Sequence, residues 1–388
     1  MRICFFGDGS SVHTRRWTDF FVERNDDVHL VTWQPYTGSN SRVVVHSLPE
    51  WDVAGLILGR IPKARAVEWI LRSRSRARRI VQMVAPDLIH GHSVDGYGHL
   101  AALSGFRPCV LTAWGMDVFA YRSQPLVNQV MTRWAIRSAD LVTVNSEALR
   151  NAVLSFGNDA KRIQTVQFGV DTRLFRPGLD TTDLRRQLEL DPGHAVIFSV
   201  RAVHPMYNIH TIVRAFNRVR SELPHTKLLL ADYSPVHSYR DSIFRLIQEL
   251  DLEGEVQWVG AVDPRKMPLF LNLSDVLVSM ASSDTSPVSV HEAMACGTRV
   301  IASDLPGVRE WIADGVNGFL APPGDIDGLA RKIVAALSLD SDTAAGWSIQ
   351  NRMQVEQNAD LDTNMTKMAK LYETLLAGAS VSTGKNAR

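Results

Sequence analysis

The sequence predicts an α/β protein made of two doubly wound parallel-sheet domains that face each other across a cleft. Short apolar runs alternate with longer helical patterns along the chain, which is typical of βαβ units and a parallel sheet. This alternating series begins twice, at the N-terminus and again near residue 195. A chain of 388 residues is longer than one hydrophobic core usually organises, so two domains are the default expectation.

The first series supplies a predicted N-terminal domain, residues 1–172. Its strands are expected where short apolar runs occur, at 3–6, 28–32, 88–90, 109–112 and 141–144. Helical periodicity follows several of these runs, for example at 15–23 and 124–137. The segment 169–178, which contains Pro177 and two glycines, breaks the pattern and is interpreted as the interdomain connector.

The second series supplies a predicted C-terminal domain, residues 173–360. Its strands are expected at 195–200, 227–231, 256–259, 275–280 and 299–302. Its helices are expected at 210–222, 238–250, 264–272, 307–312 and 326–338. The tail at about 361–377 predicts one more amphipathic helix, which we expect to pack back on the N-terminal domain.

Composition narrows the function classes. The net charge is +1, and residues 1–171 carry 20 Lys and Arg against 15 Asp and Glu, too small a bias to indicate nucleic-acid binding. No run of ~18 apolar residues predicts a membrane span. The N-terminus enters a strand directly, so we expect a cytoplasmic protein without a signal peptide. Cys4, Cys109 and Cys296 lack disulfide or metal spacing and are interpreted as reduced packing residues.

The strongest indication of a binding site is the run 283–297, in which Asp284 and Glu292 stand eight positions apart. An apolar run before it predicts a strand, and the letters after Glu292 predict a helix that ends at Gly297. Open α/β sheets bind ligands at the carboxyl ends of their strands. There, helix-start N–H groups suit a phosphate and carboxylates suit ligand hydroxyl groups. The alternative is a solvated Asp and a surface Glu, and spacing alone favours neither.

A second candidate is the loop after the first predicted strand, where Gly9, Ser10 and Ser11 precede a helix. Amides in such a loop can bind an anion. Val12 breaks the G-x-G-x-x-G pattern, which argues against a dinucleotide site. His13 is either a functional residue or a capping and packing residue at the helix start.

In order and spacing, these motifs resemble the family 4 retaining glycosyltransferases, which have the GT-B architecture of two Rossmann-like domains. That family carries two glutamates eight positions apart, followed by Ala-Met-Ala-x-Gly. The letters E-A-M-A-C-G at 292–297 fit this pattern, and Asp284 stands in place of the first glutamate. The resemblance extends over nearly the whole chain. It includes the segments 87–92, 112–117, 139–140, 145–147, 168–172, 303–307, 314–320 and 323–325, and Glu310.

The resemblance implies roles around the two carboxylates. Glu292 would hold the ribose hydroxyls of a nucleotide-sugar, and Asp284 would bind hydroxyls of the sugar. The backbone amides of Thr285, Ser286 and Val288 would face the sugar and the phosphates. Because Asp is one methylene shorter than Glu, the departure at Asp284 bears on the choice of donor sugar.

The resemblance also implies how the diphosphate is neutralised, since that family uses an Arg and a Lys at the start of the second domain. Arg201 supplies the arginine, whose planar guanidinium suits phosphate oxygens. Tyr207 stands at the lysine position, where it can donate a hydrogen bond but brings no charge. Packing and function are equal alternatives for Tyr207. We expect no metal and no cofactor.

The acceptor side is implied to lie in the N-terminal domain. In the resembled family the first loop approaches the donor phosphates and the acceptor, which here involves Gly9, Ser10, Ser11 and His13. Trp114 stands where many relatives have a histidine; an indole stacks on a sugar and donates one N–H, but cannot act as a general base. Asp117 either binds an acceptor hydroxyl or caps a helix.

Residues 60–84 form a basic stretch with an apolar helical stripe beside it. Glu68 is the single acidic residue in this stretch. The basic residues are Arg60, Lys63, Arg65, Arg72, Arg74, Arg76, Arg78 and Arg79. One interpretation is a peripheral contact with anionic lipid at the inner face of a membrane. The favoured alternative is an ordinary surface helix packed on the sheet with a solvated charged face.

The function implied is therefore the metal-independent, retaining transfer of a sugar from a nucleotide-sugar donor to a glycan acceptor, lipid-linked or a polysaccharide precursor. Two alternatives stay open. One is a nucleotide-sugar epimerase on the same scaffold, which would need its own acid and base residues in the cleft. The other is a non-catalytic binder of a sugar or nucleotide, which Tyr207 and Trp114 suggest. Nucleic acid is not an expected partner.

Overall fold

The computed structural model describes residues 1–38, 40–48, 63–232 and 235–385, with residues 63–70 and 379–385 described by their backbone only. The chain divides into two compact units. The first is Met1–Phe168 together with the chain from Asp362 onward, and the second is Gly169–Leu361. Each unit is a parallel sheet with helices, which confirms the predicted fold class.

The first unit contains a seven-stranded sheet in the order β3-β2-β1-β4-β5-β6-β7. Its strands are β1 Arg2–Phe6, β2 Asp27–Thr32, β3 Val44–Ser47, β4 Leu88–His92, β5 Cys109–Thr112, β6 Leu141–Val144 and β7 Ile163–Thr165. Its helices are Val12–Glu23, Lys63–Val84, Tyr97–Ser104, Met116–Phe119, Leu126–Ser138, Glu147–Leu154 and Leu361–Lys385. The chain order reverses between β1 and β4, so the loops after these neighbouring strands diverge and open a crevice at the carboxyl edge.

The second unit contains a six-stranded sheet in the order β10-β9-β8-β11-β12-β13. Its strands are β8 Ala195–Ser199, β9 Thr226–Ala231, β10 Val256–Gly260, β11 Val276–Ser279, β12 Arg299–Ser303 and β13 Phe319–Ala321. Its helices are Thr182–Gln187, Ile209–Glu222, His237–Glu249, Met267–Leu273, Val288–Cys296, Pro306–Arg309, Ile326–Leu337 and Ser341–Asn358. Here the order reverses between β8 and β11, which is the second crevice.

The central strands are apolar on both faces because helices cover both sides of each sheet. In β11 all four residues are buried, and in β1 only Arg2 is exposed. The C-terminal helix belongs to the first core through Tyr372, whose ring stacks on Phe21 at 5.2 Å and whose hydroxyl is hydrogen-bonded to His90 Nδ1. The division between units falls at Phe168, four residues before the predicted limit at 172.

Most predicted elements agree with the structure to within a few residues. The helix predicted at 15–23 begins earlier, at Val12, because the Ser11 hydroxyl accepts a hydrogen bond from the His13 N–H and caps it. The helix predicted at 307–312 ends at Arg309. In the described parts of the chain, no helix combines the length and the apolar character needed to cross a bilayer.

Candidate active site

The crevice between β8 and β11 of the second unit gathers the residues that resemblance assigned to the donor. Arg201 follows β8 by two positions, and Asp284 follows β11 by five. These strands are hydrogen-bonded neighbours, with Val276 paired to Ile197 and Leu277 to Phe198. Since parallel neighbours end at the same edge of the sheet, Arg201 and Asp284 are brought together although 83 positions separate them.

Arg201 and Asp284 form an ion pair. The guanidinium Nη2 donates to Asp284 Oδ2 at 2.5 Å, and Nη1 donates to the Ser289 hydroxyl at 3.1 Å. The two charged side chains are only 13% and 17% exposed, so little solvent screens the pair. The other carboxylate oxygen, Oδ1, accepts the Thr285 N–H at 2.9 Å. The arginine is thus fixed in the crevice with its positive charge already partnered.

Tyr207 lies against the same arginine. The Arg201 guanidinium carbon is 4.3 Å from the centre of the Tyr207 ring, a cation–π arrangement. The 3₁₀ turn Pro205–Tyr207 carries the ring, and Asn208 follows it at a φ of 49°. Asn208 Nδ2 donates to the Met280 carbonyl and to the Ser282 hydroxyl, both at 2.8 Å. This tie joins the loops that follow β8 and β11.

The loop of Thr285 and Ser286 is buried and packs tightly on the next helix start. A side chain at Gly307 would place its Cβ 1.8 Å from the Thr285 carbonyl oxygen, so only glycine allows this approach. The Ser286 hydroxyl lies 3.3 Å from His291 Nε2. Burial lowers the pKa of His291 to about 3, so the imidazole is neutral near pH 7. The loop is therefore held by packing rather than by charge.

Glu292 lies in the helix Val288–Cys296, which begins directly after the loop and ends at Gly297 with a φ of 77°. Its side chain is buried, with 8% of the residue exposed. Burial, and after it the nearby Glu292 carboxylate, raise the pKa of the Cys296 thiol to about 12. The N–H groups of Val288 and Ser289 precede the first hydrogen bond of this helix, which the Val290 N–H donates to the Pro287 carbonyl at 2.9 Å, and they make the helix start suitable for an anion.

In the loop after β1, the N–H groups of Gly9, Ser10 and Ser11 are hydrogen-bonded within the first unit. The N–H of Gly9 donates to the Thr32 hydroxyl at 3.0 Å, that of Ser10 to Asp8 Oδ1 at 2.8 Å, and that of Ser11 to the Asp8 carbonyl at 3.1 Å. The Ser10 hydroxyl also donates to Asp8 Oδ1, at 2.6 Å. These three N–H groups are thus hydrogen-bonded within the chain, and that of Ser10 already meets an anionic group, the carboxylate of Asp8.

His13 and Trp114 are brought together in the first unit, as part of an aromatic cluster. The His13 ring lies 5.6 Å from Trp114, edge to face, and stacks on Phe168 at 5.0 Å. His92, at the end of β4, is 6.0 Å from Trp114. Trp114 Nε1 and His92 Nε2 are buried without a hydrogen-bond partner among the described residues. Burial lowers the pKa of His92 to about 3, so its imidazole is neutral near pH 7.

Asp117 lies in the first turn of the short helix Met116–Phe119, whose N-cap residue, Gly115, has no side-chain capping hydrogen bond. Asp117 is 6% exposed, and its carboxylate accepts the N–H groups of Val94, Trp114 and Gly115 at 2.8 to 3.2 Å. Burial, and then the charge of Asp95, raise the pKa of Asp117. Asp117 therefore shapes the Trp114 loop, in which Gly115 adopts a φ of 118°.

The basic stretch lies partly outside the described residues, which exclude Arg60 and the side chains of Lys63 and Arg65. In the remaining part the apolar stripe faces inward, with Ala77, Val81 and Val84 buried. The described arginines are exposed: Arg72, Arg74, Arg76, Arg78 and Arg79.

Sequence reasoning missed four residues of these sites. Ser289 contacts Arg201, Asn208 links the loops after β8 and β11, and Asp8 and His92 belong to the first-unit loops. Only the position of Asp8 and His92 at strand ends offered a signal, because the other two act through contacts between loops that are distant in sequence.

Two parallel-sheet units with an arginine and two carboxylates at the crevice of the second define a glycosyltransferase of the GT-B architecture. Comparison with known families agrees: the family "Glycosyl transferases group 1" matches residues 180–359, and "Glycosyl transferase 4-like" matches residues 2–146. The chain belongs to the group 1 glycosyltransferases. This favours a transferase over the epimerase and binder alternatives.

Among curated relatives, the chain is 26% identical over 268 residues to N-acetyl-alpha-D-glucosaminyl L-malate synthase of Bacillus anthracis, covering 68% of each chain. It is 24% identical over 347 residues to phosphatidyl-myo-inositol mannosyltransferase of Mycolicibacterium smegmatis, covering 86% of this chain and 83% of the relative. The chain spans about half the length of some other relatives that it matches, 53% and 48% in two cases.

Solved structures share the fold. Sucrose-phosphate synthase of Thermosynechococcus elongatus superposes with a TM-score of 0.82 at 21% identity, covering 97% of this chain and all of that one. The Anabaena protein HepE, solved in complex with UDP-glucose, superposes with a TM-score of 0.78 at 19% identity over the same shares.

Proposed function

We propose that this chain is a retaining glycosyltransferase that moves a sugar from a nucleotide-sugar to a glycan acceptor, lipid-linked or a polysaccharide precursor. The observation that carries the proposal is the meeting of Arg201, Asp284 and Ser289 at the β8–β11 crevice, beside the helix that holds Glu292. UDP-sugars are the first donors to test, because a protein of the same fold is known in complex with UDP-glucose.

In this proposal donor binding exchanges one anion for another at Arg201. The guanidinium leaves the carboxylate of Asp284 and binds the diphosphate, since its planar fork suits phosphate oxygens. The released Asp284 then accepts hydrogen bonds from sugar hydroxyls, and Glu292 accepts those of the ribose. The N–H groups of Thr285, Ser286 and Val288 line the path between them. Thr285 donates to Asp284 in the free chain, so its N–H is freed by the same exchange.

The chemical step follows from these positions. The bond between the anomeric carbon and the phosphate oxygen breaks, and the acceptor oxygen bonds to that carbon on the same face. The acceptor proton passes to the leaving phosphate, so no protein base is required. Arg201, the helix start and the hydroxyl of Tyr207 stabilise the charge that develops on the phosphate, and we expect no metal requirement.

On the acceptor side, the proposal assigns the aromatic cluster of His13 and Trp114 to the glycan. Aromatic rings suit the apolar face of a sugar, and the buried Trp114 N–H has no described partner. Ser11 and the Asp8 loop border this cluster along the chain. The relative named for phosphatidyl-myo-inositol supports a lipid-linked acceptor as the first choice to test.

The first experiment is a thermal-shift screen with UDP-, GDP- and ADP-sugars. A donor at about 100 times its Kd stabilises the folded chain by about 2.7 kcal/mol, which we expect as a rise of several degrees for one base. Glu292→Ala should abolish that rise. The solvent-exposed substitution Gln350→Ala on the helix Ser341–Asn358 is the matched control.

The second experiment measures transfer with the donor so found. Glu292→Ala and Arg201→Ala should each lower kcat/KM at least a hundredfold, EDTA should change nothing, and the product should keep the anomeric configuration of the donor. Wild-type rates in both variants, or an inverted product, would contradict the proposal.

A further inference from the structure

One helix of the first unit exposes an apolar surface that the fold does not use. Leu126–Ser138 packs its inner face, with Met131, Ala135 and Ile136, into the core. Its outer face presents Leu126 and Val130, which are 77% and 68% exposed. Trp134 continues this row at 44% exposure. The spacing of four residues aligns all three along one side of the helix.

Arginines accompany this apolar row. Arg133 and Arg137 are exposed on the same helix, and Arg122 is exposed in the 3₁₀ turn Tyr121–Ser123 before it. None of the three forms an ion pair with a residue in the described ranges. The sequence of the helix contains no Asp or Glu. A large apolar row beside unpaired positive charges therefore faces solvent.

The basic helix Lys63–Val84 lies on the same side of the sheet. It packs against Tyr97–Ser104, which in turn packs against Leu126–Ser138. The middle helix is almost wholly buried by its neighbours. The outer surface of this layer is consequently made by the two flanking helices. Over all three helices, Glu68 is the one acidic residue of the sequence.

We propose that this helical layer rests on an anionic lipid surface, with Leu126, Val130 and Trp134 inserted among the headgroups. The inference deepens the proposed function, on which it rests, because it names where a lipid-linked acceptor is met. Trp, with an apolar body and a polar N–H, favours the membrane interface, and arginines snorkel to the phosphates. The arginines of both helices add electrostatic attraction to anionic lipid.

The charge pattern of this helical layer favours an anionic lipid surface over a second copy of the chain as the binding partner. A two-fold interface would place the same surface on both partners, so Arg133 and Arg137 would face their own copies without carboxylates between them. A lipid surface instead supplies negative charge over the whole area of the layer.

The test is flotation of the full chain with phosphatidylcholine vesicles that contain or lack phosphatidylglycerol. We expect binding only with phosphatidylglycerol, weakened by high salt because charged contacts are screened. Arg133→Gln with Arg137→Gln should weaken the apparent affinity about 25-fold, at roughly fivefold for each arginine. Val130→Ser with Trp134→Ser should weaken it at least about tenfold.

Matched controls lie on the second unit. Ile349 and Met353 are 64% and 51% exposed on the helix Ser341–Asn358, and Ile349→Ser with Met353→Ser should leave vesicle binding unchanged. A dye on Val130→Cys should shift its emission on vesicles, and one on Ile349→Cys should not. The labelling is selective because Cys4, Cys109 and Cys296 are buried.

Each of the following results would overturn the inference: no binding to phosphatidylglycerol vesicles at low salt, binding that the Val130 and Trp134 changes leave intact, or a wild-type dimer that those changes dissolve. Loss of binding only in Arg74→Gln with Arg76→Gln would assign the contact to the basic helix alone and equally reject this surface. The donor-induced thermal shift should stay unchanged in every variant. Failure of the proposed function would abolish that shift in the wild type, and so is distinguishable from failure here.

Discussion

Replacing Tyr207 by lysine would restore the residue that the resembled family has at this position. In the structure, however, the Arg201 guanidinium lies 4.3 Å from the centre of the Tyr207 ring. An ammonium group placed there would meet a like charge in a crevice where Arg201 is 13% exposed. We therefore expect opposite effects of Tyr207→Lys on the free chain and on nucleotide binding.

The magnitudes follow from the geometry. Two like charges about 4.3 Å apart repel by about 4 kcal/mol at an effective dielectric constant near 20, and the lost cation–π contact adds about 0.5–1 kcal/mol. Attraction to Asp284 and rotation of the lysine away offset most of this. We expect a net loss of about 1–2 kcal/mol in the free energy of unfolding. A charged hydrogen bond to the diphosphate contributes about 1.5–3 kcal/mol. The nucleoside diphosphate that the protein prefers should therefore bind to the variant at least tenfold tighter than to the wild type.

Urea denaturation of the free chain and calorimetric titration with UDP, GDP and ADP measure the two effects. Tyr207→Phe is the control, because it keeps the ring over Arg201 and should change stability by less than about 0.5 kcal/mol. A urea midpoint that Tyr207→Lys leaves unchanged or raises would contradict the expected repulsion. Diphosphate binding no tighter than that of the wild type would contradict the expected gain.

Three further changes test other parts of the two units. Gly307→Ala should destabilise the second unit by more than ~2 kcal/mol and weaken donor binding, because its Cβ would lie 1.8 Å from the Thr285 carbonyl oxygen. The control is Gly346→Ala, on a helix with nothing within 4 Å of the added Cβ, which should be neutral or stabilising. Equal urea midpoints for the two variants would contradict this prediction. Trp114→Phe should leave stability unchanged or raise it, since it removes a buried N–H without a described partner, yet raise the KM for acceptor; an unchanged KM excludes that N–H from acceptor binding. Acidification should destabilise the protein between pH 6.5 and 5, because burial holds four histidines neutral in the folded chain while the unfolded chain binds their protons. Each contributes up to ~1.4 kcal/mol per pH unit, and proton uptake by buried Asp117, whose pKa is raised, offsets one of them. The four are His92, His99 and His291, whose pKa values are lowered to about 3, 4 and 3, and His90, whose pKa burial also lowers. Urea midpoints that stay level down to pH 5 would refute this assignment.

The sequence predicted the central strands well because a strand buried on both faces is a continuous apolar run, as in β11 and β8. Short edge elements were missed: β7 has three residues and β3 has four, none of the latter fully buried. The helix Ser341–Asn358 was also missed. Its buried residues are Trp347, Asn351 and Val355, and the polar Asn351, hydrogen-bonded to Asn317, interrupts the apolar periodicity on which helix prediction depends.

The candidate site was predictable where the chain is locally regular and unpredictable where loops meet. A strand, a loop and a capped helix place Asp284 and Glu292 from sequence alone, because the pattern is continuous. The use of the first-loop amides could not be predicted, because Gly9 donates to Thr32, 23 positions away. Nor could the contact of Arg201 with Ser289, which depends on the pairing of β8 with β11.

Two of the departures from the family pattern, at Asp284 and Tyr207, meet at one guanidinium. Asp284 accepts from Arg201 on one side, and the Tyr207 ring lies against it on another. Here Arg201 stands without the lysine that the resembled family has beside it. Its orientation before the diphosphate binds then matters more for affinity, since a fixed arginine loses less side-chain entropy on binding. The two positions should therefore be coupled. In a double-mutant cycle on UDP affinity, Tyr207→Lys and Asp284→Glu should deviate from additivity by more than about 0.5 kcal/mol. Strict additivity would mean that Asp284 and Tyr207 act independently, and that their shared contact with Arg201 is packing alone.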